Sequence, residues 1–260
     1  MPDNRNINQE NIVVSLRNLH RSFDGRPVLK GLSLDFPRGL TTVVMGPSGC
    51  GKSVMMKHMI GLLKPNSGEV FFNDQRVDQL KESDLSTIRR RFGMLFQQAA
   101  LFDSMNVHDN VAFPMHESGV NPEHIESKVR EVLALVGLQD TLQQMPSELS
   151  GGMRKRVGLA RAIVLDPEVI LYDEPTTGLD PIRADVINEL ILRMKSKLSV
   201  TSVVVTHDLV SAFKVADHMV LLHEGKVRIQ GSPEEIKESD DPVLTGFLEG
   251  RAENLDLIDG

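Results

Sequence analysis

The eight-residue run GPSGCGKS at residues 46–53 constrains the fold of this chain more than any other feature. It matches the phosphate-loop pattern G-x-x-x-x-G-K-[ST], which joins a buried strand to the helix that follows it. The flanking sequence agrees, because Thr41–Met45 is short, β-branched and apolar, and the residues after Lys52 carry apolar side chains at helical spacing. We therefore predict an α/β fold in which one strand ends in an anion-binding loop.

This loop contains the residue types that a triphosphate site needs. Its glycines permit backbone angles and a close approach that a Cβ would prevent, so successive N–H groups can turn toward phosphate oxygens. Lys52 adds a positive charge for the terminal phosphates, and the Ser53 hydroxyl can join the coordination sphere of Mg²⁺. The rival interpretation is a glycine-rich turn with a solvated lysine, which explains the strand and the spacing poorly. The predicted ATP contacts are Gly46, Pro47, Ser48, Gly49, Cys50, Gly51, Lys52 and Ser53.

A second group of candidates stands where the apolar run VILY at residues 169–172 ends. The run is typical of a buried strand, and open α/β sheets bind ligands at the carboxyl ends of their strands. We expect Asp173 to hold Mg²⁺ and Glu174 to act as general base on the attacking water. An isolated Asp-Glu pair is more often two solvated turn carboxylates, but the upstream phosphate loop favours the catalytic interpretation.

The segment LSGGM at residues 149–153 precedes another predicted helix, rich in Leu, Ala, Val and Arg. Backbone N–H groups of Ser150, Gly151 and Gly152 at that helix start form a second predicted anion site. Taken alone, Ser150 is equally well explained as an N-cap, because Ser-Gly before a helix is common. The order of the phosphate loop, LSGGM and VILYDEP favours a role in nucleotide binding.

Composition restricts the partners and the compartment. The chain has 29 Lys and Arg against 36 Asp and Glu, a net charge of −7, which argues against a nucleic-acid-binding surface. Arg89, Arg90 and Arg91 form a compact basic run, expected to be a solvated helix face, with docking to a partner or to lipid headgroups as the alternative.

The single cysteine, Cys50, excludes an intramolecular disulfide and is interpreted as filler in the loop. A cytoplasmic location is expected, and no apolar stretch approaches the ~20 residues that cross a bilayer.

Strand and helix patterns divide the chain into three regions. Residues 1–10 are polar and expected to be flexible, residues 11–235 form one predicted nucleotide-binding domain, and residues 236–260 form a C-terminal tail. The domain begins with a predicted antiparallel β subdomain over residues 12–36, with a turn at Asp24-Gly25, and continues as a mainly parallel sheet with flanking helices. Helical spacing interrupted by prolines predicts a helical subdomain inserted at about residues 98–160.

On these motifs and their order, nearly the whole chain resembles the ATP-binding cassette family. The resemblance implies a P-loop NTPase core and hydrolysis of ATP with Mg²⁺. It implies a head-to-tail homodimer that encloses two ATP molecules. In that arrangement the LSGGM segment of one subunit contacts the γ-phosphate of the ATP held by the other.

The resemblance extends to four more positions. Gln97 is similar to the family glutamine that senses Mg²⁺ and the attacking water. Asp180 resembles the aspartate of the loop that crosses the dimer interface, although Asp180-Pro181 is also a good helix start. His207 resembles the switch histidine at the γ-phosphate, although it could also cap a helix. Phe23 stands where the family has an aromatic residue stacked on adenine, with strand packing as the rival interpretation.

Some segments resemble a narrower group. The runs LFQQAALFDSMNVHDNVAFP, MPSELSGGM and DPVLTGFLEG are similar to the ATPase subunits of Mla-type lipid transporters, related to Mce-linked systems. This resemblance implies phospholipid transport between the inner and outer membranes, with the chain at the cytoplasmic face of the inner membrane. It implies an integral membrane permease, a periplasmic lipid-binding MCE protein and a STAS-domain regulator as partners.

Three other classes compete with a lipid transporter. A chromosome-maintenance or repair ATPase shares the cassette, but normally carries a long coiled coil between the phosphate loop and LSGGM, where about a hundred residues stand here. A translation factor of the same superfamily carries two cassettes per chain. The ATPase subunit of an importer for amino acids or ions is the closest rival.

Overall fold

The computed structural model describes residues 11–251, which group into two compact units. The first unit takes its described residues from 11–80 and 216–251, and the second is Lys81–Val215. The strands are β1 (Ile12–Phe23), β2 (Arg26–Pro37), β3 (Thr41–Met45), β4 (Ser67–Phe72), β5 (Gln75–Arg76), β6 (Phe92–Leu95), β7 (Val169–Asp173), β8 (Thr201–Val205), β9 (His218–His223) and β10 (Lys226–Gly231). The helices are α1 (Lys52–Met59), α2 (Glu82–Arg90), α3 (Val107–Glu117), α4 (Pro122–Leu135), α5 (Gly151–Ile163), α6 (Pro181–Leu198), α7 (Leu209–Val215), α8 (Pro233–Lys237) and α9 (Pro242–Glu249).

The first unit begins with an antiparallel sheet of strand order β2-β1-β4-β5. The hairpin turn between β1 and β2 is Asp24-Gly25, where φ is 49° and 77°. Positive φ at both central residues gives the turn a twist that matches the strands, and Asp-Gly tolerates it. The antiparallel layer and its turn, predicted from the sequence, are confirmed. The predicted flexible start at residues 1–10 lies outside the described residues.

Another group of strands in the first unit has the order β10-β9-β3. β3 runs parallel to β9, with Thr42 opposite His218, and β9 runs antiparallel to β10. Every residue of β3 is buried, which explains its unbroken β-branched and apolar sequence. The predicted phosphate loop leaves the carboxyl end of β3 and leads into α1.

The second unit contains parallel strands in the order β8-β7-β6. α5 packs on β6 and on α3, and α4 packs on α3 and α5. A glycine in β6 permits the close approach, since a Cβ on Gly93 would lie 2.3 Å from the carbonyl oxygen of Ala162 in α5. Helices α3, α4 and most of α5 fall within the predicted helical subdomain, whose boundaries near residues 98 and 160 stay a prediction.

Some boundaries differ from the sequence-based expectation because turns and caps decide where an element ends. The apolar pattern at residues 92–97 predicts a strand over that range, but β6 ends at Leu95 and the chain then turns through Ala99 and Ala100, which have positive φ. In the tail, the pattern does not predict α9. Asp241 caps that helix by accepting hydrogen bonds from the amides of Val243 and Leu244.

The basic run at residues 89–91 is only partly a helix face. α2 ends at Arg90, and Arg91 follows as its C-cap. Arg89 pairs with Glu82 on the same helix, and Arg91 Nε lies 2.5 Å from Glu168 Oε1. The expectation of a solvated helix face therefore does not hold for Arg91, which lies beyond the helix and is paired with a carboxylate of this chain.

Candidate nucleotide-binding and hydrolysis site

The backbone packs so closely around the first glycine of the phosphate loop that a residue with a side chain does not fit there. Gly46 has φ +148°, and a Cβ there would lie 2.2 Å from the carbonyl oxygen of Leu222 and 2.9 Å from Cys50 Sγ. Gly51 is the N-cap of α1 with φ 109°. Because glycine has no side chain, nothing at the N-cap accepts hydrogen bonds from the first amides of α1. Those amides and the helix dipole favour an anion at this end of the helix.

Lys52 lies inside the loop and is only 8% exposed. Its ammonium group donates hydrogen bonds to the carbonyl oxygens of Gly46 at 2.7 Å and Pro47 at 2.9 Å. Ser53 is the second residue of α1. Burial raises the pKa of the Cys50 thiol against the opposing influence of Lys52, so the thiol stays protonated at neutral pH. This agrees with the interpretation of Cys50 as filler rather than as a nucleophile.

Phe23 is the last residue of β1, and 37% of its surface is exposed. The guanidinium carbon of Arg21 lies 4.6 Å from the centre of its ring, which is a cation–π distance. This exposure disfavours the rival interpretation that the ring packs in the core of the sheet. Adenine stacking by Phe23 stays a prediction.

In the second unit, the structure brings two predicted catalytic residues together at the end of β7. His207 Nδ1 lies 2.9 Å from Glu174 Oε2, and Thr177 Oγ1 donates a hydrogen bond to the same oxygen at 3.1 Å. Thr206 Oγ1 is 3.5 Å away. The Glu174 side chain is only 13% exposed, whereas that of His207 is 61% exposed. The histidine can therefore reach solvent and a bound ligand while it contacts the carboxylate.

The residue after the histidine anchors this loop. Asp208 accepts hydrogen bonds from Thr176 Oγ1 at 3.0 Å and Ser211 Oγ at 2.5 Å, and its amide donates to Thr206 Oγ1 at 3.0 Å. Burial favours the neutral acid, but the hydrogen bonds from Ser211, Thr176 and Val210 outweigh it and lower the pKa of Asp208. The aspartate is thus charged at neutral pH, and it caps α7 in place of His207.

Register places two more predicted residues at the same edge of the sheet. β6 and β7 are parallel, with Leu95 opposite Tyr172, and Asp173 is the last residue of β7. Gln97 follows two residues after Leu95 and is exposed. Because carboxyl ends of parallel strands share one edge, Gln97 and Asp173 lie on the side of the sheet where Glu174 and His207 meet.

The LSGGM segment and the Asp180 loop are neighbours, and each starts a helix. Ser150 Oγ caps α5 by accepting a hydrogen bond from the Met153 amide at 3.3 Å. Asp180 Oδ1 caps α6 by accepting one from the Arg183 amide at 3.0 Å. A Cβ on Gly151 would lie 3.7 Å from Leu179 Cδ2, so the two helix starts are in contact. The capping roles weighed for Ser150 and Asp180 are both present, and they leave the amides of Gly151 and Gly152 at a helix N-terminus.

One polar residue of this region escapes sequence reasoning. Lys155 in α5 is 5% exposed, and its ammonium group donates hydrogen bonds to the carbonyl oxygens of Glu174 at 3.1 Å and Pro175 at 2.7 Å. Burial lowers the pKa of Lys155 to about 8, although the nearby Glu174 raises it. A signal was available, because Lys155 occupies the buried stripe of α5 with Gly152 and Leu159.

The residues present suit Mg²⁺ held together with a nucleotide. Within residues 11–251, no group of three or more His, Cys, Asp or Glu side chains is arranged to hold a metal. A nucleotide-bound Mg²⁺ takes most of its ligands from phosphates and water, so a hydroxyl, a carboxylate and an amide oxygen are sufficient. Ser53, Asp173 and Gln97 offer these oxygens and stay the predicted ligands. Across the same part of the chain, none of the helices combines the length and apolarity needed to span a membrane.

Known proteins share this arrangement of motifs. The ABC transporter family profile matches residues 29–177 of the chain. The intermembrane phospholipid transport ATP-binding protein MlaF of Escherichia coli is 41% identical over 242 residues, 93% of this chain and 90% of that protein. The probable ribonucleotide transport ATP-binding protein mkl of Mycobacterium leprae is 42% identical over 241 residues, 92% of this chain and 70% of that protein.

A solved structure agrees with the sequence relatives. The ATP-binding cassette MJ0796, in a dimeric post-hydrolysis state bound to ADP and Pi, superposes with a TM-score of 0.77 at 30% identity, over 85% of this chain and 98% of that chain. The segment matched by the family profile contains the phosphate loop, LSGGM, Asp173 and Glu174. The chain therefore belongs to the ABC transporter family and is one of its ATP-hydrolysing cassettes.

Proposed function

We propose that this cassette hydrolyses ATP to power phospholipid transport between the inner and outer membranes, which maintains the lipid asymmetry of the outer membrane. The observation that carries the substrate class is the similarity to MlaF, which is named for intermembrane phospholipid transport. The similarity extends over nearly the whole of both chains. It therefore includes segments outside the nucleotide motifs.

The phosphate loop is assigned to the triphosphate of ATP. The N-terminus of α1 and the buried ammonium group of Lys52 favour an anion, and the tight backbone at Gly46 brings amides close to it. Ser53, Asp173 and Gln97 are the residues assigned to Mg²⁺, which when bound would neutralise phosphate charge. The exposed ring of Phe23 is assigned to the adenine.

Glu174 is assigned as the general base. Its carboxylate follows β7 and is held by hydroxyl groups and by His207, so it can take a proton from water. The water oxygen bonds to the γ-phosphorus, the bond to the bridging oxygen breaks, and ADP and phosphate are released. Because His207 Nδ1 faces Glu174, the other ring nitrogen, Nε2, is the atom assigned to the γ-phosphate.

A homodimer completes the proposed cycle. Ser150, Gly151 and Gly152 are assigned to the γ-phosphate of ATP held by the second copy, and Asp180 to the interface between copies. The dimeric state of the related cassette MJ0796 supports this arrangement. ATP favours the closed dimer because each triphosphate gains donors from both copies, and hydrolysis removes those contacts.

The motion of this dimer is proposed to drive a membrane permease. The similarity to MlaF supports a place at the cytoplasmic face of the inner membrane, where the cassette would bind the permease. A periplasmic lipid-binding MCE protein and a STAS-domain protein complete the proposed assembly, by analogy with Mla-type systems. Nucleic acid is not a proposed partner, since the chain carries a net charge of −7.

A second candidate substrate is a ribonucleotide, because the relative named for ribonucleotide transport has comparable identity. The two relatives differ in coverage. This chain spans 70% of the mycobacterial protein, but 90% of MlaF from Escherichia coli. Because the match covers a larger share of MlaF than of the mycobacterial protein, phospholipid is favoured over ribonucleotide.

The decisive experiment isolates the transporter with its cargo. An affinity-tagged Glu174→Gln variant, expected to hold the ATP-bound complex together, is purified from membranes in mild detergent, and the bound small molecules are identified by mass spectrometry. We expect a permease, an MCE protein and phospholipid in excess over a purification with Lys52→Ala. Enrichment of a ribonucleotide, amino acid or ion in place of phospholipid would overturn the proposed substrate.

A further inference from the structure

The backbone of the proposed base is held in an unfavourable conformation. Glu174 has φ +49°, in the left-handed region that residues with a Cβ rarely adopt. Such a conformation persists only where the surroundings impose it, and it occurs often at functional sites. Here the Glu174 amide donates to the Val205 carbonyl at 2.9 Å, and the Glu174 carbonyl accepts a weak hydrogen bond from the Thr177 amide at 3.3 Å.

The remaining restraint comes from outside the loop. The ammonium group of Lys155 donates to the carbonyl oxygens of both Glu174 and Pro175, at 3.1 Å and 2.7 Å. A single group thus spans the peptide units on either side of Pro175. Since proline has no N–H, this part of the backbone has few other ways to be fixed by hydrogen bonds.

We propose that Lys155 is a positioning residue for ATP hydrolysis, which fixes the backbone of Glu174 and thereby aims its carboxylate at the attacking water. The proposal rests on the proposed role of Glu174 as general base. It adds a connection between two motifs, because Ser150 caps the same helix that carries Lys155.

A packing role alone does not explain the lysine. Its helical neighbours on the buried stripe, Gly152 and Leu159, are small or apolar, and a methionine would fill the same volume without a buried charge. Burial lowers the pKa of Lys155 to about 8, which shows that the ammonium form is held at an energetic disadvantage. A buried charge that destabilises the fold in this way, and that contacts the backbone of the proposed base, indicates a function beyond packing.

The test separates positioning from folding through a kinetic split. In the purified transporter complex, Lys155→Met is expected to lower kcat by about 10- to 100-fold, as a small misplacement of a catalytic group does. The dissociation constant for ATP, measured with Mg²⁺ present, is expected to stay within about twofold of wild type. Lys155→Arg, which keeps donors and charge, is expected to recover part of kcat. Lys128→Met is the matched control, because Lys128 is paired with Asp166 and Glu131 and not with Glu174.

A double-mutant cycle identifies the route of the effect. If Lys155 acts through Glu174, Lys155→Met changes the residual hydrolysis of Glu174→Gln by less than about twofold. An equal loss in both backgrounds, or a kcat near wild type in Lys155→Met, overturns the proposal. If Lys155→Met does not fold, Lys155→Leu, which also lacks a donor, is put through the same cycle with the same criteria. Unchanged turnover in Glu174→Gln alone overturns the base assignment instead, so the two failures are distinguishable.

Discussion

His207 Nδ1 and Glu174 Oε2 lie 2.9 Å apart at the carboxyl edge of the second unit's sheet. The sequence predicts the two residues from separate motifs, one after β7 and one after β8. In the folded chain they form one pair, buried at the carboxylate and exposed at the imidazole. The proposed base and the proposed γ-phosphate ligand are therefore in direct contact, and a change at either is expected to affect turnover.

The first prediction concerns Glu174→Gln, which removes the carboxylate of the proposed base and keeps the shape of the side chain. Glu174→Gln retains the side-chain length but cannot take a proton from water, so kcat of the purified complex is expected to fall by about 10²- to 10⁴-fold. ATP binding should persist, and light scattering should detect an ATP-stabilised dimer. The control is Glu168→Gln, a carboxylate that precedes β7 and pairs with Arg91. Turnover equal to wild type in Glu174→Gln would remove Glu174 from the mechanism.

The second prediction concerns the charge in the phosphate loop. Lys52→Ala deletes the ammonium group that lies 2.7 Å from the Gly46 carbonyl. The affinity for ATP, measured by calorimetry, is expected to drop at least about tenfold because a charge-assisted contact to phosphate is lost. Lys57→Ala on the exposed face of the same helix is the control and should leave the affinity unchanged. Equal affinities for the two variants would contradict the role of Lys52.

The third prediction tests the close packing of Gly46. A Cβ there would lie 2.2 Å from the Leu222 carbonyl oxygen, so Gly46→Ala is expected to lower the free energy of unfolding by about 1–3 kcal/mol and to abolish ATP binding. Gly39→Ala is the control, because Gly39 has positive φ with nothing within 4 Å of the added Cβ. Both positions have positive φ, but only Gly46 adds a steric clash, so urea unfolding compares the two variants directly. A smaller loss of stability in Gly46→Ala than in Gly39→Ala would contradict the clash.

The fourth prediction uses the buried lysine as a titrating group. Its pKa is about 8 in the folded chain and 10.5 when unperturbed, so between these values the unfolded chain binds more protons. Stability therefore rises with pH across that window through this lysine, and the rise is complete above the unfolded value. Between pH 7.5 and pH 9.5, the free energy of unfolding of the wild type should increase relative to that of Lys155→Met. The comparison isolates Lys155 because the other titrating groups are common to both proteins. A constant difference between the two proteins would show that Lys155 keeps its ordinary pKa.

Short patterns predicted a large part of this fold. The hairpin at Asp24-Gly25 and the buried strand β3 could each be predicted from a few consecutive residues. The turn needs residues that tolerate positive φ, and a strand buried on both faces is β-branched and apolar throughout. The order of the motifs then indicated the family. By contrast, hydrophobic periodicity did not predict α9, although Asp241-Pro242 at its start is the same helix-start signal as Asp180-Pro181.

For the candidate site too, the sequence predicted some features and only the structure showed the others. The sequence by itself determined which residues can bind phosphate, because a phosphate loop needs only consecutive residues between a strand and a helix. Only the tertiary structure decided that His207 meets Glu174 and that Lys155 donates hydrogen bonds to the backbone of Glu174 and Pro175. These contacts join residues far apart in the chain, and they exist only when β7, β8 and α5 pack together. Periodicity can place Lys155 on the buried side of α5, but a single sequence does not show which distant residues it contacts.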